Sequence, residues 1–455
     1  MRWSTLLINE RLQVPPAVYT SEKPDFLYDD IRSNFEMDYD RIIFSSSFRR
    51  LGKKTQVHPM SKNDHLHTRL THSLETASIG RSLGFKIAKS EDEFLKEEEL
   101  SNNRTHYDLA TIVQAACLAH DIGNPPFGHA GEEAIRAWFR ENEDFLEELA
   151  PEERNDFLFW EGNAQAFRVL TQIEHHLFSG GMQLTYPVLG AMVKYPWTSN
   201  NRNANNKFGC FWAERNILSS LCQKLGMKKT QGVNFHWARH PLAFLTEAAD
   251  DVCYRILDIE DAHELGIVSF EKIKGIFSSI IKNNDNKKQE KTQNYIDDAA
   301  LSDRRKMSYL RALTLNRAVD EVAKAFCEKR DEIMAGELQS SLIDHISPEL
   351  HCMLDKMSET AKKRIFKEKR KVELELGAYS TMSTLLENFC LAAREMTSGK
   401  NASSKTRQLC DLMGEKVLKR EDSLYSATLR VLDYISGMTD NYAVYIANQL
   451  RGACY

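Results

Sequence analysis

The chain has 455 residues, of which 42% are hydrophobic and 27% are charged, with a formal net charge of −5. This length allows one large domain or two ordinary ones, and the balanced charge argues against a protein that binds polyanions over its whole surface. No apolar run approaches the ~20 residues of a membrane helix, and polar residues from Asn9 onwards interrupt the N-terminal apolar patch. We therefore expect a cytoplasmic protein without a membrane span or secretory signal, with its nine scattered cysteines reduced.

Helical periodicity is common along the chain, whereas the alternation typical of strands is scarce. An apolar stripe over 108–121 predicts a helix that Asp108 caps and that Gly123 and the prolines after it end. A later helix is expected to begin at Pro241, because proline is favoured at the first helical position, and to continue through Ile256. The sequence therefore predicts an all-α fold with few or no strands.

The predicted organisation has three parts. Residues 1–280 form the core, and residues 307–455 form a helical C-terminal region packed on it, where subunit contacts are expected. Between them, residues 281–306 contain few side chains that could support a core, which predicts an exposed loop or linker. A second loop is expected at 198–207, where Asn and Ser are frequent.

The pair His120-Asp121 lies where the first of these helices is expected to end. Adjacent residues in mid-helix point ~100° apart and rarely serve one ion, but the break at Gly123 lets both side chains converge. Imidazole with carboxylate suits Mn, Fe, Co, Ni or Zn, and nitrogen ligands are less favourable for Mg. Alone, the dipeptide is more often a surface histidine beside a capping aspartate, so a metal site needs further ligands.

Two other residues are candidate ligands. His72 precedes an apolar helical pattern and can lie on its inner face. Asp250 is a carboxylate on an otherwise apolar helix, where a metal ion or an arginine would offset the cost of burying it. Asp250, Tyr254 and Asp258 recur every four residues and share one helix face, which either lines a cleft or is simply solvated.

Several short motifs follow one another in a characteristic order. They are Asp40-Arg41-Ile42-Ile43-Phe44-Ser45, Phe48-Arg49-Arg50-Leu51, Lys54-Thr55-Gln56-Val57, Thr68-Arg69-Leu70-Thr71-His72-Ser73, the run 120–132, Phe159-Trp160-Glu161-Gly162-Asn163-Ala164-Gln165, Leu184-Thr185-Tyr186, Lys194-Tyr195-Pro196, Glu247-Ala248-Ala249-Asp250-Asp251 and Gly437-Met438-Thr439-Asp440. The order His, His-Asp, Asp resembles the signature of the HD superfamily, and the motifs resemble its deoxyguanosine triphosphate triphosphohydrolase (dGTPase) family. The resemblance is dense over residues 37–260 and thin elsewhere.

The resemblance implies that an HD-type core hydrolyses a deoxynucleoside triphosphate, dGTP in preference, to the deoxynucleoside and inorganic tripolyphosphate. It assigns a divalent metal ion, Mn or Mg, to His72, His120, Asp121 and Asp250. It assigns the acid/base pair to His129 and Glu132. The implied substrate-contacting residues are Gln56, Arg69, Asn163, Lys194, Tyr195, Lys207, Tyr254 and Asp258.

The residue types suit these roles. Arg69, Lys194 and Lys207 are the cations expected to neutralise the triphosphate. His129 can exchange a proton with the attacking water or the leaving oxygen near neutral pH, and Glu132, three residues later, can orient it. The alternative for His129 is a histidine that caps the next helix.

Two residues are expected to contact the sugar. Gln56 can hydrogen-bond a 3′-hydroxyl group. Tyr254 can stack on the deoxyribose, where an added 2′-hydroxyl would clash, and its alternative is a core tyrosine. His65 and His67 flank the site in sequence and are expected either behind the metal ligands or on the surface, not as ligands, and the pair 175–176 is expected in a loop.

Other functions stay open on the sequence. The chain could be an HD nucleotidase or phosphodiesterase, or an inactive regulator that binds nucleotide or DNA, although His129 and Glu132 argue against the regulator. The basic run 362–371 is either a solvated helix face or a site for single-stranded DNA or an effector nucleotide. The resemblance also implies a homo-oligomer, often a hexamer.

Overall fold

The structure is a computed structural model that describes residues 1–12, 32–56, 63, 65–90, 106–174, 180–282, 286–364, 369–399, 401–414 and 418–453. The helices of the first part of the chain are α1 (Trp3–Leu6), α2 (Asn34–Phe44), α3 (Ser46–Arg50), α4 (Arg69–Ser90), α5 (His106–Ala119), α6 (His129–Glu141), α7 (Glu143–Leu146), α8 (Pro151–Leu158), α9 (Gly162–Arg168), α10 (Tyr186–Met192), α11 (Arg215–Lys224) and α12 (Pro241–Glu264). The later helices are α13 (Phe270–Ile276), α14 (Ser278–Ile281), α15 (Asn286–Asp297), α16 (Asp303–Glu328), α17 (Arg330–Ala335), α18 (Pro348–Arg364), α19 (Lys369–Thr397), α20 (Ser404–Met413), α21 (Leu424–Ser436) and α22 (Asp440–Leu450).

Helices account for almost all of the regular structure. Within the described ranges, extended segments pair only at five isolated bridges and form no sheet. The all-α prediction is therefore confirmed. Short 3-10 helices span Leu51–Lys53, Ser199–Asn201, Trp212–Glu214 and Leu342–His345, and a π-helical turn spans Val169–Ile173. The segment 198–207 is otherwise a loop, as predicted.

Helices α4, α5 and α12 pack together at the centre of the molecule. Helix α5 is apolar on most of its surface, and nine of its 14 residues are buried. Helix α4 approaches α5 closely because residue 84 is glycine: a Cβ atom on Gly84 would lie 2.6 Å from the Cα atom of Ala110. Helix α12 packs against both. This arrangement brings the start of α4, the end of α5 and the middle of α12 to one place.

Two helix starts test the sequence rules for capping. Helix α12 begins at Pro241 as predicted, and the imidazole of His240 caps it by accepting a hydrogen bond from the Leu242 amide at 3.1 Å. Helix α5 begins at His106, so the prediction that Asp108 caps it was wrong. Asp108 lies in the first helical turn instead, where a negative charge still favours the helix dipole.

The segment 281–306 was predicted as an exposed loop, and this was wrong for its central part, which forms α15. Most of the helix is exposed, as its composition indicates. Ile296 is nevertheless only 2% exposed in the apolar core, and Tyr295 stacks on Tyr309 of α16 with ring centroids 4.3 Å apart. Few apolar anchors therefore suffice to dock this helix.

Two apolar clusters stabilise the fold. The first extends from Trp3 to Ala361 and includes α4, α5, α12 and α16. The second joins α6 and α8 to α19 and α21. Since the clusters interleave along the chain, neither ends at residue 280 or begins at 307, and the division of the chain at these positions stays a prediction. No described helix is long and apolar enough to cross a lipid bilayer.

Candidate metal centre and active site

The four predicted metal ligands come from the three central helices. His72 lies in the first turn of α4, His120 and Asp121 directly follow α5, and Asp250 lies on α12. The Nε2 atoms of His72 and His120 lie 3.0 and 3.3 Å from Asp250 Oδ1. One ligand atom of each of these three residues lies within 4.8 Å of the others. Asp121 is adjacent to this group, with its Oδ1 atom 3.5 Å from His120 Nε2.

The turn after α5 explains how His120 and Asp121 serve the same place. Gly123 sits directly on α9, and a Cβ atom there would lie 2.1 Å from the Ala166 amide nitrogen. This contact fixes the turn that ends the helix. His120 Nδ1 lies 2.6 Å from the carbonyl oxygen of Cys117. Because that oxygen can only accept, Nδ1 carries a proton, and in the neutral imidazole Nε2 is then the nitrogen with the lone pair that a metal ion needs.

The donor set fits a divalent metal ion. His120 Nε2 is buried and makes no hydrogen bond within the described residues, although it faces the carboxylates of Asp121 and Asp250. Such an atom requires a partner, because burial of an unsatisfied polar atom is costly. Two imidazoles with two carboxylates suit a borderline divalent ion, and His72, His120, Asp121 and Asp250 would hold it.

Each ligand carboxylate is also held by a cation. Lys194 donates to Asp250 Oδ2 at 2.5 Å, and Arg69 donates to Asp121 Oδ2 at 2.7 Å. In both aspartates the other carboxylate oxygen, Oδ1, faces the histidines. Burial alone would raise the pKa of Asp250, but the ammonium group of Lys194 holds that pKa well below its usual range. Arg69 outweighs burial in the same way and lowers the pKa of Asp121.

The predicted acid/base pair forms at the start of α6. His129 is the first residue of the helix, and its Nδ1 lies 2.9 Å from Glu132 Oε2. The side chain of His129 is 84% exposed, whereas that of Glu132 is 4% exposed. The other carboxylate oxygen of Glu132 accepts from the Gly162 amide at 2.9 Å. Burial opposes the charged form, but the hydrogen bond with His129 lowers the pKa of Glu132.

A second buried carboxylate, that of Glu161, lies beside this pair, and no role was predicted for it from the sequence. It accepts from Lys207 at 2.8 and 2.9 Å and from Asn163 at 2.5 Å. Arg136 lies 3.3 Å from Glu161 and 3.8 Å from Glu132. Burial and the negative charge of Glu132 raise the pKa of Glu161. Its position beside Asn163 in a matched motif was the signal that could have identified it.

The remaining predicted substrate residues differ in burial and in their neighbours. Gln56 has a buried Oε1 atom without a hydrogen-bond partner in the described part of the chain. Burial raises the pKa of Tyr195, although the nearby ammonium group of Lys194 acts in the opposite direction. Tyr254 is half-buried on α12, and Asp258, one turn further, is only 5% exposed. The face they share is therefore not simply solvated.

Other charged residues of the sequence lie outside this group. His65 is exposed, whereas His67 is held at 2.6 Å by Asp261. Burial opposes protonation of His67, but the hydrogen bond with Asp261 raises its pKa to about 10. The exposed residues 362–364 end α18, and the rest of the basic run lies outside the side chains that the structure describes. The pair 175–176 also lies outside the described residues.

Comparison with known proteins agrees with this geometry. Residues 69–207 match the HD domain family model, so the fold and the His-Asp centre define an HD-domain phosphohydrolase. A deoxyguanosinetriphosphate triphosphohydrolase-like protein of Pseudomonas aeruginosa (strain LESB58) is 43% identical over 99% of both chains. A protein described in the same words from Synechocystis sp. is 36% identical, also over 99% of both. The deoxyguanosinetriphosphate triphosphohydrolase of Klebsiella pneumoniae (strain ATCC 700721 / MGH 78578) is 30% identical over 95% of both. The chain belongs to the dGTPase family of the HD superfamily.

Proposed function

We propose that the chain hydrolyses deoxynucleoside triphosphates, dGTP in preference, to the deoxynucleoside and inorganic tripolyphosphate, with Mn or Mg as the metal ion. One observation carries the proposal: Arg69 joins the metal centre to the acid/base pair. Its guanidinium donates to Asp121, and its Nη2 atom is so close to Gly128 that a Cβ atom there would lie 2.5 Å away. Gly128 is the residue before His129. A phosphate beside Arg69 would therefore be within reach of both centres.

The reaction requires a water oxygen to bond to the α-phosphorus while the bond from that phosphorus to the 5′-oxygen breaks. The bound metal ion would supply a polarised water and neutralise phosphoryl charge. His129 is exposed to incoming substrate, so it can exchange a proton with the water or protonate the leaving 5′-oxygen. Glu132 fixes the orientation of the imidazole through the 2.9 Å contact.

The cations of the site would hold the tripolyphosphate part of the substrate. Arg69, Lys194 and Lys207 each contact a carboxylate, and each keeps donor capacity beyond that contact, because guanidinium and ammonium groups have several N–H donors. Phosphoryl transfer is catalysed mainly by positioning and charge stabilisation of this kind. Gln56 would hydrogen-bond the 3′-hydroxyl, and Tyr254 would stack on the deoxyribose.

The test is product analysis with the four dNTPs, each supplied with Mn or Mg, singly and in pairs. Phosphorus NMR distinguishes tripolyphosphate from monophosphate and pyrophosphate. Release of tripolyphosphate together with the deoxynucleoside is expected, fastest with dGTP. Release of monophosphate without tripolyphosphate would contradict the proposal and favour an HD nucleotidase or phosphodiesterase.

The partners implied by the family are part of the same proposal. We propose a homo-oligomer, hexameric in its largest form, and an effector role for nucleotide or single-stranded DNA at the basic end of α18. The support for the effector is the exposure of the described residues 362–364. Light scattering tests the assembly. Fluorescence anisotropy with labelled oligothymidine, compared with a variant whose exposed basic residues are glutamines, tests the effector.

A further inference from the structure

Asp440 connects the C-terminal helices to two segments of the active site. It is the first residue of α22 and is only 2% exposed. Its Oδ2 atom accepts from the backbone amide of Thr55 at 3.0 Å and from the Thr55 hydroxyl at 2.7 Å. Its Oδ1 atom accepts from the Phe127 amide at 2.9 Å. One buried carboxylate thus holds two segments that are more than 300 residues away in sequence.

Both segments carry residues of the proposed reaction. Thr55 precedes Gln56 and forms an isolated bridge with Thr68, the residue before Arg69. Phe127 lies two residues before His129. Asp440 therefore contacts the backbone next to a substrate-contacting residue and the backbone next to the proton-exchanging residue, without contacting the side chain of either.

The Phe127 segment needs such support. Phe127 has a φ angle of +63° and is followed by Gly128 at +58°, and a residue with a side chain rarely adopts a positive φ. This conformation directs α6 so that His129 begins the helix. Conformations of this kind persist only where the surroundings hold them. The hydrogen bond from the Phe127 amide to Asp440 is one such restraint.

Lys54 makes a second link of the same kind. Its ammonium group donates to the Asn124 carbonyl at 2.6 Å and to the Ser436 carbonyl at 2.7 Å. Asn124 belongs to the turn that contains His120 and Asp121, and Ser436 ends α21. The end of α21 is therefore linked through Lys54 to the metal-ligand turn, and the start of α22 is linked through Asp440 to the Thr55 and Phe127 segments.

We propose that Asp440 is a positioning residue for the hydrolytic site: it holds the Thr55 segment and the Phe127 segment in register, so that Gln56 and His129 act on one substrate. This inference rests on the proposed function for its kinetic consequences. Its structural part, the restraint of two distant segments by one carboxylate, does not depend on the substrate.

The principal variant is Asp440→Asn, which keeps the volume of the side chain but cannot accept all three hydrogen bonds. Misplacement of reacting groups by about 1 Å can lower a rate about a hundredfold, so we expect kcat/KM for dGTP to fall by about that factor, mainly through kcat. Thr55→Val removes only the hydroxyl bond on the substrate side. We expect it to raise KM about tenfold with little change in kcat.

Asp156 supplies a matched control. It is also a buried carboxylate with three donors: Ser199 Oγ at 2.5 Å, the Trp212 amide at 2.8 Å and Tyr425 Oη at 2.5 Å. Like Asp440 it links segments that are distant in sequence to a C-terminal helix, in this case α21, but none of its donors belongs to the active site. Asp156→Asn should lower the unfolding temperature as Asp440→Asn does and leave kcat and KM unchanged at temperatures where both variants are folded.

Hydrogen exchange measured by mass spectrometry on the full-length protein supplies the second readout. Asp440→Asn should accelerate amide exchange in peptides that cover Thr55 and Phe127, and Asp156→Asn should not. Unchanged exchange in both peptides would overturn the inference, as would wild-type kinetics of Asp440→Asn, or an equal loss of kcat in Asp156→Asn.

If Asp440→Asn does not fold, the KM change of Thr55→Val decides the kinetic question. Absence of tripolyphosphate release by the wild-type protein would instead contradict the proposed function, and the exchange data would still test the restraint.

Discussion

His129 and Glu132 form a pair in which an exposed imidazole is fixed by a buried carboxylate at 2.9 Å. The exposed partner can meet the substrate, whereas the buried partner is held from its other side by the Gly162 amide. A rigid carboxylate restricts the imidazole to few orientations. This combination suits a group that must give a proton to a leaving oxygen.

We expect His129→Ala to lower kcat for dGTP by about 10²- to 10⁴-fold, the usual contribution of general acid/base catalysis. The unfolding temperature should hardly change, because the side chain is mostly exposed. His65→Ala is the control, since His65 is an exposed histidine whose charged neighbour is Glu264 of α12. Tripolyphosphate release under saturating dGTP measures the effect. Near-normal turnover of His129→Ala would disprove the assigned role.

Loss of Asp250 should remove metal binding and turnover together. Asp250 Oδ1 faces both histidines, so its removal takes away the atom on which the ligands converge. Asp250→Ala also leaves Lys194 without its carboxylate, which is expected to destabilise the fold by about 3–5 kcal/mol, so Asp250→Asn is the better variant. The measurement is manganese retained after dialysis, determined by atomic emission.

The control for metal binding lies on the same helix. Glu264 is near the end of α12 and pairs with Arg304 far from the ligands. Glu264→Ala should retain manganese and turnover as the wild type does. Wild-type manganese retention in Asp250→Asn would show that the ion is held elsewhere.

The sequence predicted the site where local rules apply. Helical periodicity and the Gly123 break located the end of α5, and the resemblance supplied the four ligands that the structure brings near each other. Local rules failed for α15, because its docking depends on two buried residues, Thr292 and Ile296, and on a stacked tyrosine. Local rules identified Arg69 and Lys194 as cations but could not predict their ion pairs. The carboxylates that these two residues contact are 52 and 56 residues away in sequence. Such contacts become visible only when the helices are packed.

Lys207 and Glu161 should behave as one unit in kinetics. Lys207 donates to both carboxylate oxygens of Glu161 at 2.8 and 2.9 Å, so removal of Glu161 takes this partner from Lys207, and removal of Lys207 takes one of its cations from Glu161. We expect Glu161→Gln and Lys207→Met each to lower kcat/KM about tenfold, and the double variant to be little worse than either, with a coupling energy of about 0.5–3 kcal/mol. Glu133→Gln, at an exposed salt bridge of 3.0 Å with Arg140, should change kcat/KM less than twofold. Additive losses in the double variant would mean that the two residues act separately.

The pH dependence of stability should report on His240. This residue is fully buried, its Nδ1 accepts from the Leu242 amide and its Nε2 lies 3.1 Å from the Leu6 carbonyl. Burial lowers the pKa of His240 to about 4, against about 6.5 in the unfolded chain. Since the unfolded chain takes up the proton first, the contribution of His240 is fully present above about pH 6.5 and is lost as the pH falls towards 4, by up to about 3 kcal/mol.

His240→Asn should remove this contribution while it keeps a residue that can cap α12. Between pH 7 and 4.5 the unfolding free energy of the wild type should therefore fall more steeply than that of His240→Asn, as measured by urea denaturation at each pH. The comparison between variants cancels the carboxylates that titrate in the same range. His65→Asn, at an exposed position, should follow the wild-type curve. Parallel curves for the wild type and His240→Asn would mean that the buried imidazole takes up its proton as readily as the unfolded chain does.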